Sequence, residues 1–120
     1  MKKILVVEDE LIILKFVVFR LEKEGYEVLS ATDGRVALDI IQNRKPDLVL
    51  LDVFIPSLDG YEVCKCVKED TKLRHIPVIL FTASEPTIVA HKGKEVGADD
   101  YIIKPFDPEQ LLEKIKKFIG

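Results

Sequence analysis

Charged and hydroxyl-bearing residues that could take part in a reaction follow four short apolar runs of the chain. They are Glu8, Asp9 and Glu10 after the first run, Asp52 after the second, Thr82 after the third and Lys104 after the fourth. Carboxylates held close together repel one another, and each resists ionisation unless a cation is present. A site with two or three protein carboxylates leaves positions for water and phosphate, which is the pattern of Mg²⁺ sites.

Lys104 and Thr82 extend this chemistry. The lysine supplies a positive point charge, and the threonine supplies a hydroxyl donor. A metal ion, an ammonium group and a hydroxyl around one carboxylate describe a phosphoryl-transfer site, where catalysis rests on positioning and on charge neutralisation. The sequence therefore predicts such a site wherever the fold brings these groups together.

The apolar runs indicate which elements position these residues. Continuous apolar runs at residues 4–7, 48–51, 78–81 and 101–103, with a weaker one at 26–31, predict strands that are covered on both faces. The segments between them have helical spacing, as in Leu111, Leu112, Ile115 and Phe118. Five βα units with right-handed crossovers predict an α/β fold, a doubly wound parallel sheet with helices on both faces. The ligand crevice of such a sheet lies beyond the carboxyl ends of its strands.

Composition excludes several classes of function. The 120 residues carry 18 basic and 21 acidic side chains, so a net charge of −3 gives no broad attraction for nucleic acid. No apolar run approaches the ~20 residues of a membrane span, and Glu8 and Asp9 come too early for a signal peptide. We expect a cytoplasmic protein with a single domain over residues 1–120. Cys64 and Cys66 are expected to be reduced thiols, because their side chains diverge on a helix.

Five motifs in order resemble the receiver domain of bacterial response regulators, the phosphorylation switches of two-component signalling. They are VVEDE at 6–10, LLDV at 50–53, Pro56 with Asp59 and Gly60, FTA at 81–83 and GADDYIIKPF at 97–106. Each motif alone is weak, whereas the set spans nearly the whole chain. The resemblance implies a flavodoxin-like sheet with strand order 2-1-3-4-5.

The resemblance also assigns roles at the site. It implies that Asp52 is the phosphoacceptor. It implies that Mg²⁺ is held by Glu8, Asp9, Asp52 and the backbone carbonyl of Phe54. Glu8 stands where many relatives carry Asp, which lengthens the carboxylate arm by one methylene. Phe54 is bulkier than the residue often found there, and we hypothesise that it shields the acyl phosphate from water.

The remaining implied roles concern the switch. Lys104 would contact the phosphoryl group, Thr82 would bond to it after phosphorylation, and Tyr101 would turn inward when Thr82 moves. The Lys104–Pro105 peptide bond is expected to be cis, as in the family. The altered surface would be the fourth helix, fifth strand and fifth helix.

The resemblance further implies the partners. The phosphoryl donor would be a histidine kinase or a histidine phosphotransfer protein, and the output would pass to a downstream target protein. With no effector domain expected, the chain would act as a monomer or as a phosphorylation-dependent homodimer. It would promote its own phosphorylation and dephosphorylation without being a turnover enzyme.

Two helices have unusual sequences. The first carries two apolar stripes, one of Ile13, Phe16, Val17 and Leu21 and one of Leu11, Leu14 and Val18. Because a kinase docks on the first helix in the family that the chain resembles, the resemblance implies that the second stripe is either a kinase-docking face or a set of scattered surface apolar residues. The fourth helix contains Thr87, Ile88, Val89 and an interior Gly93, so it is either easily shifted or held by tertiary packing.

Three other functions share parts of this pattern. An enzyme of the haloacid dehalogenase type also uses Asp, Mg²⁺, a hydroxyl and Lys, but it needs a second Asp at the position of Phe54. A flavin or dinucleotide binder needs a phosphate-binding loop after the first strand, and none is present. A binding module that does not use phosphate remains as the third alternative.

Overall fold

The computed structural model describes residues 1–120, in which five strands alternate with five helices. The strands are β1 (Lys3–Val7), β2 (Glu27–Ala31), β3 (Leu48–Asp52), β4 (Val78–Thr82) and β5 (Asp100–Ile103). The helices are α1 (Leu11–Lys23), α2 (Gly34–Arg44), α3 (Gly60–Glu69), α4 (Pro86–Val96) and α5 (Pro108–Ile119). The predicted alternation of strands and helices is confirmed.

All four strand pairings are parallel, and the strand order is β2-β1-β3-β4-β5, as the resemblance implied. The chain winds outward in one direction from β1 to β2 and in the other from β3 to β5. The reversal therefore lies between β1 and β3, where Val7 is paired with Leu51. The residues that follow this pair, Glu8 and Asp52, stand at the position where a ligand crevice is expected.

The sheet is buried on both faces, which explains its continuous apolar runs. Successive residues of β1 alternate between two core clusters. Leu5 and Val7 belong to the cluster formed with α2, α3 and α4, whereas Ile4 and Val6 belong to the cluster formed with α1 and α5. The longest helix, α1, has 13 residues, and no helix has both the length and the apolar character that a membrane crossing requires.

Three helices begin at aspartate caps that orient the loops around the crevice. Asp33 accepts a hydrogen bond from the Val36 N–H at 2.8 Å. Asp59 forms a reciprocal capping box with Glu62. Asp107 accepts from the Glu109 N–H at 3.0 Å. Each such cap typically stabilises a helix by about 1 kcal/mol, and the Asp59 cap fixes the helix that follows the Asp52 loop.

The predicted division of α1 into two stripes is wrong. Leu14, Val17 and Leu21 are buried together, and Val18 packs against the same cluster. These positions fall within one helical face about 100° wide, so the two predicted stripes each mixed buried and exposed residues. The exposed apolar residues of the helix are Leu11, Ile12, Phe16 and Phe19.

Gly60 allows α3 to begin directly against the end of β3. A Cβ atom at this position would lie 2.4 Å from the Asp52 carbonyl oxygen and 2.7 Å from the Val53 Cα. The Gly60 N–H donates to the Val53 carbonyl at 2.9 Å. Because the colliding atoms are backbone, a side chain at residue 60 would displace the loop that carries Asp52.

Gly60→Ala is expected to lower the free energy of unfolding by about 2–4 kcal/mol, because the backbone at Asp52 must move. Gly93→Ala is the matched comparison. Its Cβ would meet only the Leu80 Cδ1, at 3.3 Å, and the Ala98 Cβ, at 3.7 Å. The gain of about 1 kcal/mol in helix propensity should offset much of that crowding. Urea unfolding of both variants checks this, and equal losses would contradict it.

Candidate functional site

Three carboxylates meet at the carboxyl ends of β1 and β3. One oxygen of each of Glu8, Asp9 and Asp52 lies within 4.8 Å of the others. Glu8 is completely buried and Asp52 is 4% exposed, whereas Asp9 faces solvent. The Glu10 N–H donates to Glu8 Oε2 at 3.0 Å, so the turn after β1 holds the Glu8 side chain in place.

Lys104 joins the two buried carboxylates from the end of β5. Its Nζ donates to Glu8 Oε1 and, at 3.1 Å, to Asp52 Oδ2. Its backbone N–H donates to the Thr82 carbonyl at 2.8 Å, and the Lys104–Pro105 peptide bond is cis. The Phe81 ring lies below the ammonium group, 4.8 Å from Nζ to the ring centroid. Lys104 is therefore held by opposite charges on one side and by an aromatic face on the other.

The electrostatics of the site follow from burial and from an excess of negative charge. Burial, and then the charge of Glu8, raises the pKa of Asp52 from 3.8 to about 6, although Lys104 and the Phe54 N–H act in the opposite direction. Burial by itself lowers the pKa of Lys104, but its contacts with Glu8 and Asp52 outweigh burial, and the net shift is upward. Lys104 stays charged, and one ammonium does not balance three carboxylates.

The donor set fits Mg²⁺. Carboxylate oxygens are the hard ligands that this ion prefers, and three of them leave coordination positions for water and for a phosphate oxygen. Burial, and then the charge of Glu8, disfavours ionised Asp52 and raises its pKa. A cation bound at this edge would favour the ionised carboxylate. Glu8, Asp9 and Asp52 are the side chains placed to hold it.

The side chains of Thr82 and Tyr101 form no hydrogen bond with the three carboxylates. Thr82 is the last residue of β4 and is fully buried, and its Oγ1 has no hydrogen-bond partner. Tyr101 pairs with Leu80 within the sheet, is half-buried, and packs against the cluster on the α2–α3–α4 face. An inward turn of Tyr101 stays a prediction.

Phe54 contacts Asp52 through its backbone N–H and not through its ring. Its N–H donates to Asp52 Oδ1 at 3.2 Å, while its side chain is 62% exposed. The ring stands on the solvent side of the loop after β3. Shielding of a phosphoryl group by Phe54 stays a prediction.

Sequence reasoning missed an apolar groove of about 500 Å³ beside the site. Its apolar lining comes from α1, from the residue after β4 and from the loop after β5. The polar lining residues are Glu10 and Lys104, and the apolar ones are Ile12, Ile13, Phe16, Ala83, Pro105 and Phe106. Phe106 also packs edge-to-face on Phe81, with ring centroids 6.1 Å apart. These residues are far apart in sequence. Only the apolar residues on the exposed face of α1 could have suggested the groove.

The sequence profile of the response regulator receiver domain matches residues 4–116. The chain therefore belongs to this family. It is 42% identical over 118 residues to the alkaline phosphatase synthesis transcriptional regulatory protein PhoP of Bacillus subtilis, covering 98% of this chain and 48% of that protein. The chain thus spans about half the length of this relative.

Solved structures agree with the family assignment. The chemotaxis protein CheY4 of Vibrio cholerae superimposes with a TM-score of 0.92 at 34% identity, covering 99% of both chains. The receiver domain of a sensor histidine kinase from Pseudomonas aeruginosa superimposes with a TM-score of 0.91 at 28% identity, covering 99% of this chain and 98% of that one. That structure has a magnesium ion coordinated in its active-site cleft. Receiver domains bind Mg²⁺ at an acidic pocket, and this chain has an acidic cluster formed by Glu8, Asp9 and Asp52.

Asp52→Asn is expected to stabilise the metal-free protein at pH 8 by about 1–3 kcal/mol, since it removes a carboxylate whose ionisation the fold disfavours. Because the pKa of Asp52 is raised to about 6, the folded wild type binds more protons than the unfolded chain between about pH 4 and 6. Wild-type stability should therefore fall as pH rises through that window, and the advantage of the variant should shrink towards pH 4. Urea unfolding with a chelator measures both, and an advantage that does not change with pH would contradict this assignment.

Proposed function

We propose that Asp52 accepts a phosphoryl group from the phosphohistidine of a histidine kinase or a histidine phosphotransfer protein, in a Mg²⁺-dependent reaction. The observation that carries this proposal is the buried Asp52 carboxylate, which has Lys104 Nζ 3.1 Å from one oxygen and two further carboxylates beside it. This arrangement suits a nucleophile whose product gains negative charge. A dehalogenase-type enzyme is disfavoured because Phe54 offers no acid or base.

The chain's own groups have distinct roles in this reaction. A carboxylate oxygen of Asp52 forms a bond to phosphorus as the bond between phosphorus and the donor imidazole nitrogen breaks, and the imidazole leaves. The Phe54 N–H and Lys104 orient the two Asp52 oxygens. Lys104 then pairs with the transferred phosphoryl oxygens. Bound Mg²⁺, held by Glu8, Asp9, Asp52 and the Phe54 carbonyl, would neutralise charge on the phosphoryl group.

Phosphorylation acts as a switch in this proposal. The unpartnered Thr82 hydroxyl would donate to a phosphoryl oxygen, and Tyr101 would follow its movement. The α4–β5–α5 surface would then present a different contact to a downstream target protein, or to a second copy in a homodimer. In this scheme Asp52 is phosphorylated, and water later hydrolyses the acyl phosphate, which releases inorganic phosphate and restores the carboxylate. The chain is therefore a phosphoacceptor and not a turnover enzyme.

The same proposal includes the location of the protein and the way in which it passes on the signal. Residues 1–120 act as one receiver domain, in the cytoplasm, and pass the signal through protein contacts. A net charge of −3 favours protein partners over direct contact with nucleic acid.

Incubation with acetyl phosphate and Mg²⁺ is expected to add one phosphoryl group to the wild type and none to Asp52→Asn. Intact-mass measurement with and without Mg²⁺ tests this, because the reaction needs both the carboxylate and the cation. Unchanged wild-type mass under every condition would reject the proposal and favour a phosphate-independent binding module.

We further propose that the apolar groove receives the kinase beside the phosphorylation site. Ile12 is 86% exposed, and Phe16 borders the groove that ends at Lys104. Unpaired apolar surface of this kind marks interaction sites. Leu14 and Val18 belong to the core, so the docking face is not the stripe predicted from the sequence.

Phe16→Glu is expected to slow phosphotransfer from a histidine kinase about tenfold or more, because it places a charge in a desolvated contact. Phe19→Glu is the matched control, since Phe19 is also exposed on α1 but does not line the groove. Transfer from acetyl phosphate should be unchanged in both variants. If Phe16→Glu were equally slow with both donors, the groove would not be a docking site.

A further inference from the structure

Only two buried side-chain polar atoms in the protein have no hydrogen-bond partner, the Thr82 Oγ1 and the Tyr61 hydroxyl. Buried hydroxyl groups are nearly always paired, so each exception requires a physical reason. The phosphoryl group on Asp52 would supply the partner of Thr82 under the proposed function. Nothing in that reaction accounts for Tyr61.

Tyr61 lies where α3 meets α4. It follows Gly60 in the first turn of α3, and its ring packs against the core cluster that includes α3 and α4. Lys92 of α4 lies over the ring, with its Nζ 5.6 Å from the centroid. Burial, followed by the nearby charge of Asp59, raises the pKa of Tyr61, which keeps its hydroxyl protonated as a donor. The hydroxyl is thus buried beside charged groups that do not bond to it.

The two unpaired hydroxyls flank the same helix. Thr82 ends β4, and α4 begins four residues later at Pro86. The residue before α4, Glu85, makes no side-chain cap, in contrast to Asp33, Asp59 and Asp107 at three other helices. The start of α4, like that of α1, therefore lacks the side-chain cap that these three aspartates provide, and Tyr61 contacts Lys92 on the flank of α4.

We propose that Tyr61 is a second switch residue, whose hydroxyl gains a hydrogen-bond partner when α4 shifts in the phosphorylated form. The inference rests on the proposed phosphorylation of Asp52. A ligand shifts an equilibrium only through contacts that differ between the two states. An unpaired hydroxyl raises the free energy of the resting form, and the same hydroxyl, once paired, lowers that of the active form. Tyr61 would therefore add to the bias that Thr82 supplies.

Tyr61→Phe tests this role because it removes the hydroxyl and keeps the ring. The probe is beryllofluoride, a phosphoryl mimic, titrated by NMR in saturating Mg²⁺. The variant should bind it about tenfold more weakly than the wild type, the factor that one hydrogen bond of ordinary strength supplies. Its unloaded form should unfold at the same urea concentration as the wild type, or at a higher one.

Tyr26→Phe is the matched control, because the Tyr26 hydroxyl already donates to the Gly120 carbonyl at 3.1 Å. This variant should be less stable with and without the probe, and its affinity for beryllofluoride should equal that of the wild type. Equal affinities of wild type and Tyr61→Phe would overturn the inference alone. Failure of the wild type to bind beryllofluoride would overturn the proposed phosphorylation as well.

Discussion

The contacts of Lys104 with Glu8 and Asp52 are the interaction on which the rest of the structure depends. Two carboxylates are buried at the end of a parallel sheet, where ionised groups are costly unless they are paired. The ammonium reaches both of them from the end of β5, which is paired with β4. The strand order, the position of Lys104 after β5 and the pairing of the buried charges therefore depend on one another. The remaining negative charge would favour a cation at this edge.

The two faces of the sheet lie next to different parts of the proposed switch. The groove beside α1 and the Phe81–Phe106 contact lie on the α1–α5 face, next to Lys104. Tyr61 and α4 lie on the opposite face. Strand β4 separates them and contributes alternate residues to each, so a change at the site can reach both faces through one strand.

Much of the fold could be predicted from the sequence. Continuous apolar runs fixed the strands to within a residue, because buried parallel strands have no polar face. The convergence of Glu8, Asp9, Asp52 and Lys104 followed from their positions at strand ends. The pairing of Lys104 with Glu8 could not be predicted, since it depends on side-chain reach across two strands.

The wrong assignment of the faces of α1 has a physical cause as well. The face of α1 that packs inward depends on the rotation of the helix about its axis, and several of its positions are apolar on both sides. The sequence left open whether the helix that contains Gly93 shifts easily or is held by tertiary packing. In the fold, Gly93 lies against Leu80 and Ala98, contacts that helix propensity does not describe. The buried and unpaired hydroxyl of Tyr61 could not be predicted, because pairing and burial of a side-chain atom depend on the packing of α3 against α4.

The complete burial of Glu8 has a consequence for the environment in which the protein works. Dissolved ions screen exposed charges over about 8–10 Å at physiological ionic strength, but they screen buried pairs much less. The Glu8–Lys104 contact is shielded from bulk electrolyte by the strands and loops around it. The resting charge balance is thus insulated from fluctuations in cellular salt, and it remains open to an ion that can reach the crevice through the exposed Asp9.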